Sequence, residues 1–128
     1  MNVKVISTDK APAAIGPYSQ AVLAGGFLFT SGQIALDPAT GEFRAGEIEE
    51  ETQRVLDNLD AILQAAGLSK RDVLKTTVFM SDLGNFSRMN PVYERFFGEH
   101  KPARSTIQAA ALPRGAKVEI EAIALAQA

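Results

Sequence analysis

Two residues are best placed by type and position to do chemistry, Arg104 and Glu119. Arg104 stands in Pro102-Ala103-Arg104-Ser105 at the start of an expected strand, where a rigid element can aim a guanidinium fork at a carboxylate. Glu119 sits on the last expected strand between Val118 and Ile120. A carboxylate beside apolar surface has its pKa raised and can act as a general base or acid. Each also has a plainer reading, a surface arginine and a solvent-facing glutamate beside Glu121, and position alone favours the plainer one. Three further polar residues adjoin glycine or proline turns: Tyr18 after Gly16-Pro17, Ser31 before Gly32-Gln33, and Asn90 before Pro91. Such positions present a hydroxyl or amide to a ligand while the backbone comes close. Tyr18 as a buried phenol, Ser31 as a turn former and Asn90 as a helix N-cap fit the same residues equally well.

Other chemistries are excluded. The chain has no cysteine and a single histidine, His100, which removes thiol nucleophiles, disulfides and thiolate metal sites and leaves no second imidazole for a metal. P-loop, GxGxxG, GxSxG and HExxH patterns are absent. A net charge of -2, with basic residues scattered apart from the adjacent Lys70 and Arg71, offers no general attraction to nucleic acid or to an anionic membrane. Met1 to Lys10 lacks the basic region and apolar run of a secretory leader, and no apolar stretch reaches the length of a membrane span. A cytoplasmic protein is expected. With 128 residues, 46% apolar and 22% charged, the composition suits one packed domain over residues 1–128 rather than a disordered chain.

The elements that must position these residues follow from local pattern. A short strand begins around Val3 to Ser7, and Ala11 to Pro17 form a restricted loop with two prolines and a glycine. Gln20–Ala24 and Phe27–Ser31 read as a hairpin across Gly25-Gly26. Between Glu47 and Ala66, Ile48, Val55, Leu56, Leu59, Ile62, Leu63 and Ala66 recur at three- and four-residue spacing, with acidic residues in the first turns and Gly67 at the end, which predicts an amphipathic helix. Leu74–Met80 is β-branched and reads as a strand. A second helical stretch, Leu83–Glu99, contains Pro91, which predicts a kink or a restart with Asn90 as N-cap. Strands near Ser105–Ala110 and Lys117–Ala126, joined through Leu112-Pro113-Arg114-Gly115, close the order. Two helices and about six strands make an α+β sheet with helices on one face. In the last strand Val118, Ile120, Ala122 and Ala124 alternate with Glu119, Glu121, Ile123 and Leu125, so both faces carry apolar side chains and the second face predicts self-association.

Five segments extend this reading: Ala11 to Gln20, Thr30-Ser31-Gly32-Gln33, Lys75-Thr76-Thr77-Val78-Phe79, Asn90-Pro91-Val92-Tyr93, and Pro102-Ala103-Arg104-Ser105 followed by Val118 to Ala122. Together they resemble the RidA/YjgF/UK114 family of reactive-intermediate deaminases over almost the whole chain. The resemblance implies a chorismate-mutase-like fold, a homotrimer with a barrel-like centre, active sites in the clefts between subunits, and no cofactor. It also implies hydrolysis of 2-imino acids such as 2-iminobutanoate and 2-iminopropanoate to 2-oxo acids and ammonia, protecting pyridoxal-phosphate enzymes. By the same resemblance Arg104 grips the substrate carboxylate, Glu119 positions or activates water, and Tyr18, Ser31 and Asn90 line the pocket. Close members carry cysteine where this chain has Thr106, which marks Thr106 as a substrate contact that can alter size preference. The stretch His100-Lys101-Pro102 is shorter than in close members, which bears on the cleft rim. Three other readings stay open: a non-catalytic trimer binding 2-oxo acids, an endoribonuclease or translation inhibitor, and a chaperone-like holdase using the apolar sheet face.

Overall fold

The computed structural model describes residues 2–126; the expected span of 1–128 also takes in Met1, Gln127 and Ala128, which lie outside the described residues. Its elements run β1 (Lys4–Ile6), β2 (Ala21–Ala24), β3 (Phe27–Thr30), α1 (Ile48–Ala65), β4 (Val73–Met80), α2 (Phe86–Phe97), β5 (Ala103–Gln108) and β6 (Val118–Leu125). The strands form one mixed sheet in the order β1-β2-β3-β6-β4-β5. All neighbours pair antiparallel except β4 and β5, which run parallel because α2 carries the chain back between them. The fold is the expected α+β type.

The hairpin between β2 and β3 closes on Gly25 and Gly26, with φ of 61° and 82°, the left-handed pair that a two-residue turn matching the strand twist requires. In α1 the acidic first turn is Glu49, Glu50 and Glu51, and Glu50 accepts from the Glu47 backbone N–H at 3.0 Å to complete a capping box. The apolar stripe of α1 and Met89, Val92, Tyr93 and Phe97 of α2 are buried with Ile6, Leu28, Val78, Met80, Val118, Ile120, Ala122 and Ala124 of the sheet. Both helices therefore cover one face.

The alternation in β6 is borne out. Val118, Ile120, Ala122 and Ala124 are buried, while Glu119, Glu121, Ile123 and Leu125 point to the other face. Strand pairing sets Val5, Val22, Phe29 and Ile123 in one row on that open face, and Ile107, Phe79 and Glu119 in another. Phe29 is 42% and Ile107 46% exposed, so apolar surface there lacks a cover within the chain.

One local expectation is corrected. Pro91 neither breaks nor restarts the second helix: α2 runs through it, its N-cap is Asn85, and a single-turn 3-10 segment, Leu83–Asn85, precedes it. Proline removes one helical hydrogen bond, and the packing of Met89, Val92, Tyr93 and Phe97 on both sides of it holds the helix together. In β4 the register slips between Val73 and Lys75, so that Leu74 is an extra residue and the buried parity passes from Val73 to Thr76.

Candidate active site

Arg104 is the second residue of β5, paired with Thr76 of β4. That register turns its side chain to the helix-covered face beneath α2. There Nη1 donates to Asn90 Oδ1 at 2.7 Å, and the guanidinium carbon lies 4.7 Å from the centre of the Tyr93 ring and 5.4 Å from that of Phe86. Aromatic faces attract a guanidinium and fix its plane. The Tyr93 hydroxyl is in turn tied to buried Thr76 Oγ1 at 2.6 Å, and burial raises the Tyr93 phenol pKa against that bond and the nearby Arg104 charge. Arg104 forms no ion pair among the described residues, so most of its donor fork stays available to an anion. It opens into a cavity of about 350 Å³ shared with Asn90, Tyr93, His100 and Lys101. Asn90 is thus a partner of the arginine from the interior of α2, not a helix cap. Thr106 lies two residues on along the same face of β5, half-buried opposite Val78 and outside the lining of that cavity.

Glu119 faces the other way. Its side chain lies across Gly32: a Cβ placed on that glycine would come 2.0 Å from Glu119 Oε2 and 2.8 Å from its carboxyl carbon, so only glycine permits this conformation. Gly32 is fixed beside it because Gln33 and Ile120 exchange backbone hydrogen bonds of 2.9 and 3.1 Å. Burial pushes the Glu119 carboxyl above its ordinary range, and neighbouring Glu121 adds to the push. Tyr18, Ser31, Gly32, Arg114 and Glu119 line a cleft of about 520 Å³. Tyr18 is 55% exposed and not a buried phenol, whereas Ser31 Oγ donates to the Ser19 carbonyl and shapes the turn. The loop bearing Tyr18 is pinned by buried Gln20, whose side chain accepts from Thr8 N–H at 2.7 Å and donates to the Pro12 carbonyl at 2.7 Å.

The expected site residues therefore fall into two groups. Arg104, Asn90 and Thr106 lie on the helix-covered face at edge strand β5; Tyr18, Ser31 and Glu119 gather at the cleft beside β6, where Glu119 belongs to the open face. Within one chain the guanidinium and the carboxylate do not share a cavity. Gly32, Tyr93 and Phe86 were not singled out from sequence. Gly32 was visible as part of a glycine turn, but its carboxylate neighbour lies 87 positions away in the chain. Tyr93 and Phe86 carry only the signal of an apolar helix face.

The family described as Endoribonuclease L-PSP matches residues 8–126. The chain belongs to that family. Among L-PSP relatives, the 2-iminobutanoate/2-iminopropanoate deaminase of Bos taurus is 51% identical over 122 residues, which cover 95% of this chain and 89% of the relative. A Yersinia pestis member of the conserved Rid protein family superposes with a TM-score of 0.95 at 47% identity, covering 97% of this chain and 99% of that one. E. coli TdcF, solved with bound serine, superposes with a TM-score of 0.90 at 50% identity over 95% of this chain and 98% of the other. The L-PSP family and the RidA/YjgF/UK114 family read from the motifs are one group.

Proposed function

We propose that the protein hydrolyses reactive 2-imino acids, 2-iminobutanoate and 2-iminopropanoate among them, to 2-oxo acids and ammonia, in sites built between subunits of a homotrimer. The observation that carries this reading is the separation of a free, aromatic-cradled arginine from a half-buried carboxylate in two different cavities of one chain. Each cavity holds half of what the reaction needs, and the uncovered apolar sheet face supplies a reason for copies to associate. About half the residues of the bovine deaminase are identical over nearly the full length, and TdcF was solved with a small amino acid bound, which supports a ligand carrying a carboxylate.

In the assembled site Arg104 holds the imino acid carboxylate, with Asn90 and Tyr93 keeping its plane. A protonated imine carbon is already electrophilic, so the remaining task is to orient water and stabilise developing charge. Glu119 removes a proton as the water oxygen bonds to the imine carbon, and the C=N π pair moves to nitrogen. Returned to nitrogen, that proton makes ammonia a leaving group; the C–N bond breaks as Glu119 takes the remaining hydroxyl proton, so the former water oxygen becomes the ketone oxygen, and that proton leaves with ammonia as ammonium. A carboxyl pushed upward by burial is a better base for this transfer than an ordinary glutamate. The chain's own groups carry every step, without a cofactor.

An endoribonuclease has one observation in its favour, the family description itself. Against it stand the net charge of -2 and the scattered basic residues. A test couples a threonine dehydratase to this protein and follows 2-oxobutanoate release while an amine scavenger competes for the imine. The wild type should accelerate release, and Arg104→Ala should lower kcat/KM roughly a hundred-fold through loss of the charge-assisted grip. Equal rates for wild type, variant and buffer would end the deaminase reading; RNA cleavage under the same conditions would replace it.

A further inference from the structure

Arg114 is the one residue other than glycine with a positive φ among the described residues, at φ 60° and ψ 16°. Holding a side chain in the left-handed region costs on the order of 1 kcal/mol or more, and such costs concentrate at ligand sites. Glycine would remove the cost, and glycine follows at once as Gly115. Arg114 nonetheless stands in the lining of the cleft of Glu119, Tyr18 and Ser31. It forms no ion pair among the described residues. Glu119 is raised by burial and by Glu121, with no lowering from Arg114, so the guanidinium is not spent on the carboxylate with which it shares the cleft. The loop that carries it is braced from below: Lys117 N–H donates to buried Glu51 Oε1 at 2.9 Å, and Ala116 N–H donates to the Pro113 carbonyl at 3.0 Å.

We propose that Arg114 is a specificity-determining residue that reads the far end of the ligand, favouring imino and oxo acids whose side chain ends in a carboxylate over aliphatic ones. This rests on the reading of the Glu119 cleft as one half of the reacting site. There Arg104 takes the carboxylate next to the imine carbon, and a second cation in the other half is left to meet a second anionic group. A guanidinium suits that task because it pairs with a carboxylate in bidentate fashion.

The test compares imines made in situ by an amino-acid oxidase from glutamate and from 2-aminobutanoate, with a scavenger competing, in wild type, Arg114→Gly and Arg114→Lys. Glycine suits the backbone angle and keeps the loop intact. The ratio of kcat/KM for the acidic imine to that for the aliphatic one should fall about ten-fold in Arg114→Gly, with lysine restoring part of it. Binding of 2-oxoglutarate and of 2-oxobutanoate, measured calorimetrically, should show the same change in ratio. If the wild type turns over imines but both ratios are unchanged in Arg114→Gly, the role of Arg114 is refuted and the deaminase reading stands. If no imine is turned over, the deaminase reading fails, and the binding ratio alone decides for or against Arg114.

Discussion

Glu119 carries its charge where burial makes charge unfavourable, and this has a measurable thermodynamic sign. Its folded pKa lies above the ordinary glutamate value of 4.5, so the favourable contribution of its neutral form is present below that value and is lost as pH rises through the raised one. Glu119→Gln removes the charge and should melt above wild type at pH 7, with the gap closing as pH falls toward 4.5. The same variant should lose turnover by roughly a hundred-fold or more, the range for a general base. A melting series against pH, together with the imine assay, checks both signs; a variant less stable at pH 7 would contradict the burial penalty assigned to the Glu119 charge. Gly32 makes a related prediction. A methyl group there would collide with the Glu119 carboxylate, so Gly32→Ala should fold but displace the base and cost up to about a hundred-fold in kcat, as misplacements of about 1 Å do. An unchanged kcat would show that this carboxylate conformation is not the working one. From sequence, Glu119 and Arg104 could be named by type and motif, but Gly32 could not, because its constraint is a contact across the sheet.

At the scale of elements, buried Glu51 joins α1 to the start of β6. It is 1% exposed and accepts from Lys117 N–H at 2.9 Å, while Lys117 Nζ lies 3.4 Å away and also donates to the Gly46 carbonyl at 2.7 Å. Removing the buried carboxylate leaves the part-buried Lys117 N–H unpaired and the ammonium without its partner, so Glu51→Ala should cost about 1–3 kcal/mol in urea unfolding. A loss under about 0.5 kcal/mol, the scale of an ordinary surface change, would contradict the bracing role. Elements set by local signals were legible: α1 from its apolar spacing, the hairpin from Gly25-Gly26, and both faces of β6 from alternation. What escaped depends on distant partners. Continuity through Pro91 comes from packing of α2 on the core, the Leu74 bulge from pairing with β6, and the turning of Asn90 toward Arg104 from the parallel register of β4 and β5.

At the scale of the whole molecule, the exposed Val5, Phe29 and Ile107 of the open face and the divided site are what the proposed association of copies accounts for, with Arg104 of one subunit meeting Glu119 of another. The alternating pattern of β6 showed in sequence that a second apolar face exists, but not that the expected site residues divide between two cavities. The most direct test mixes two inactive variants, Arg104→Ala and Glu119→Gln, by denaturing and refolding them together, and measures imine hydrolysis. Random assembly places an intact Arg104 against an intact Glu119 in about one interface in four, so the mixture should recover about a quarter of wild-type turnover while each variant alone stays inactive. A mixture of confirmed hetero-oligomers with no recovered activity would contradict the shared site.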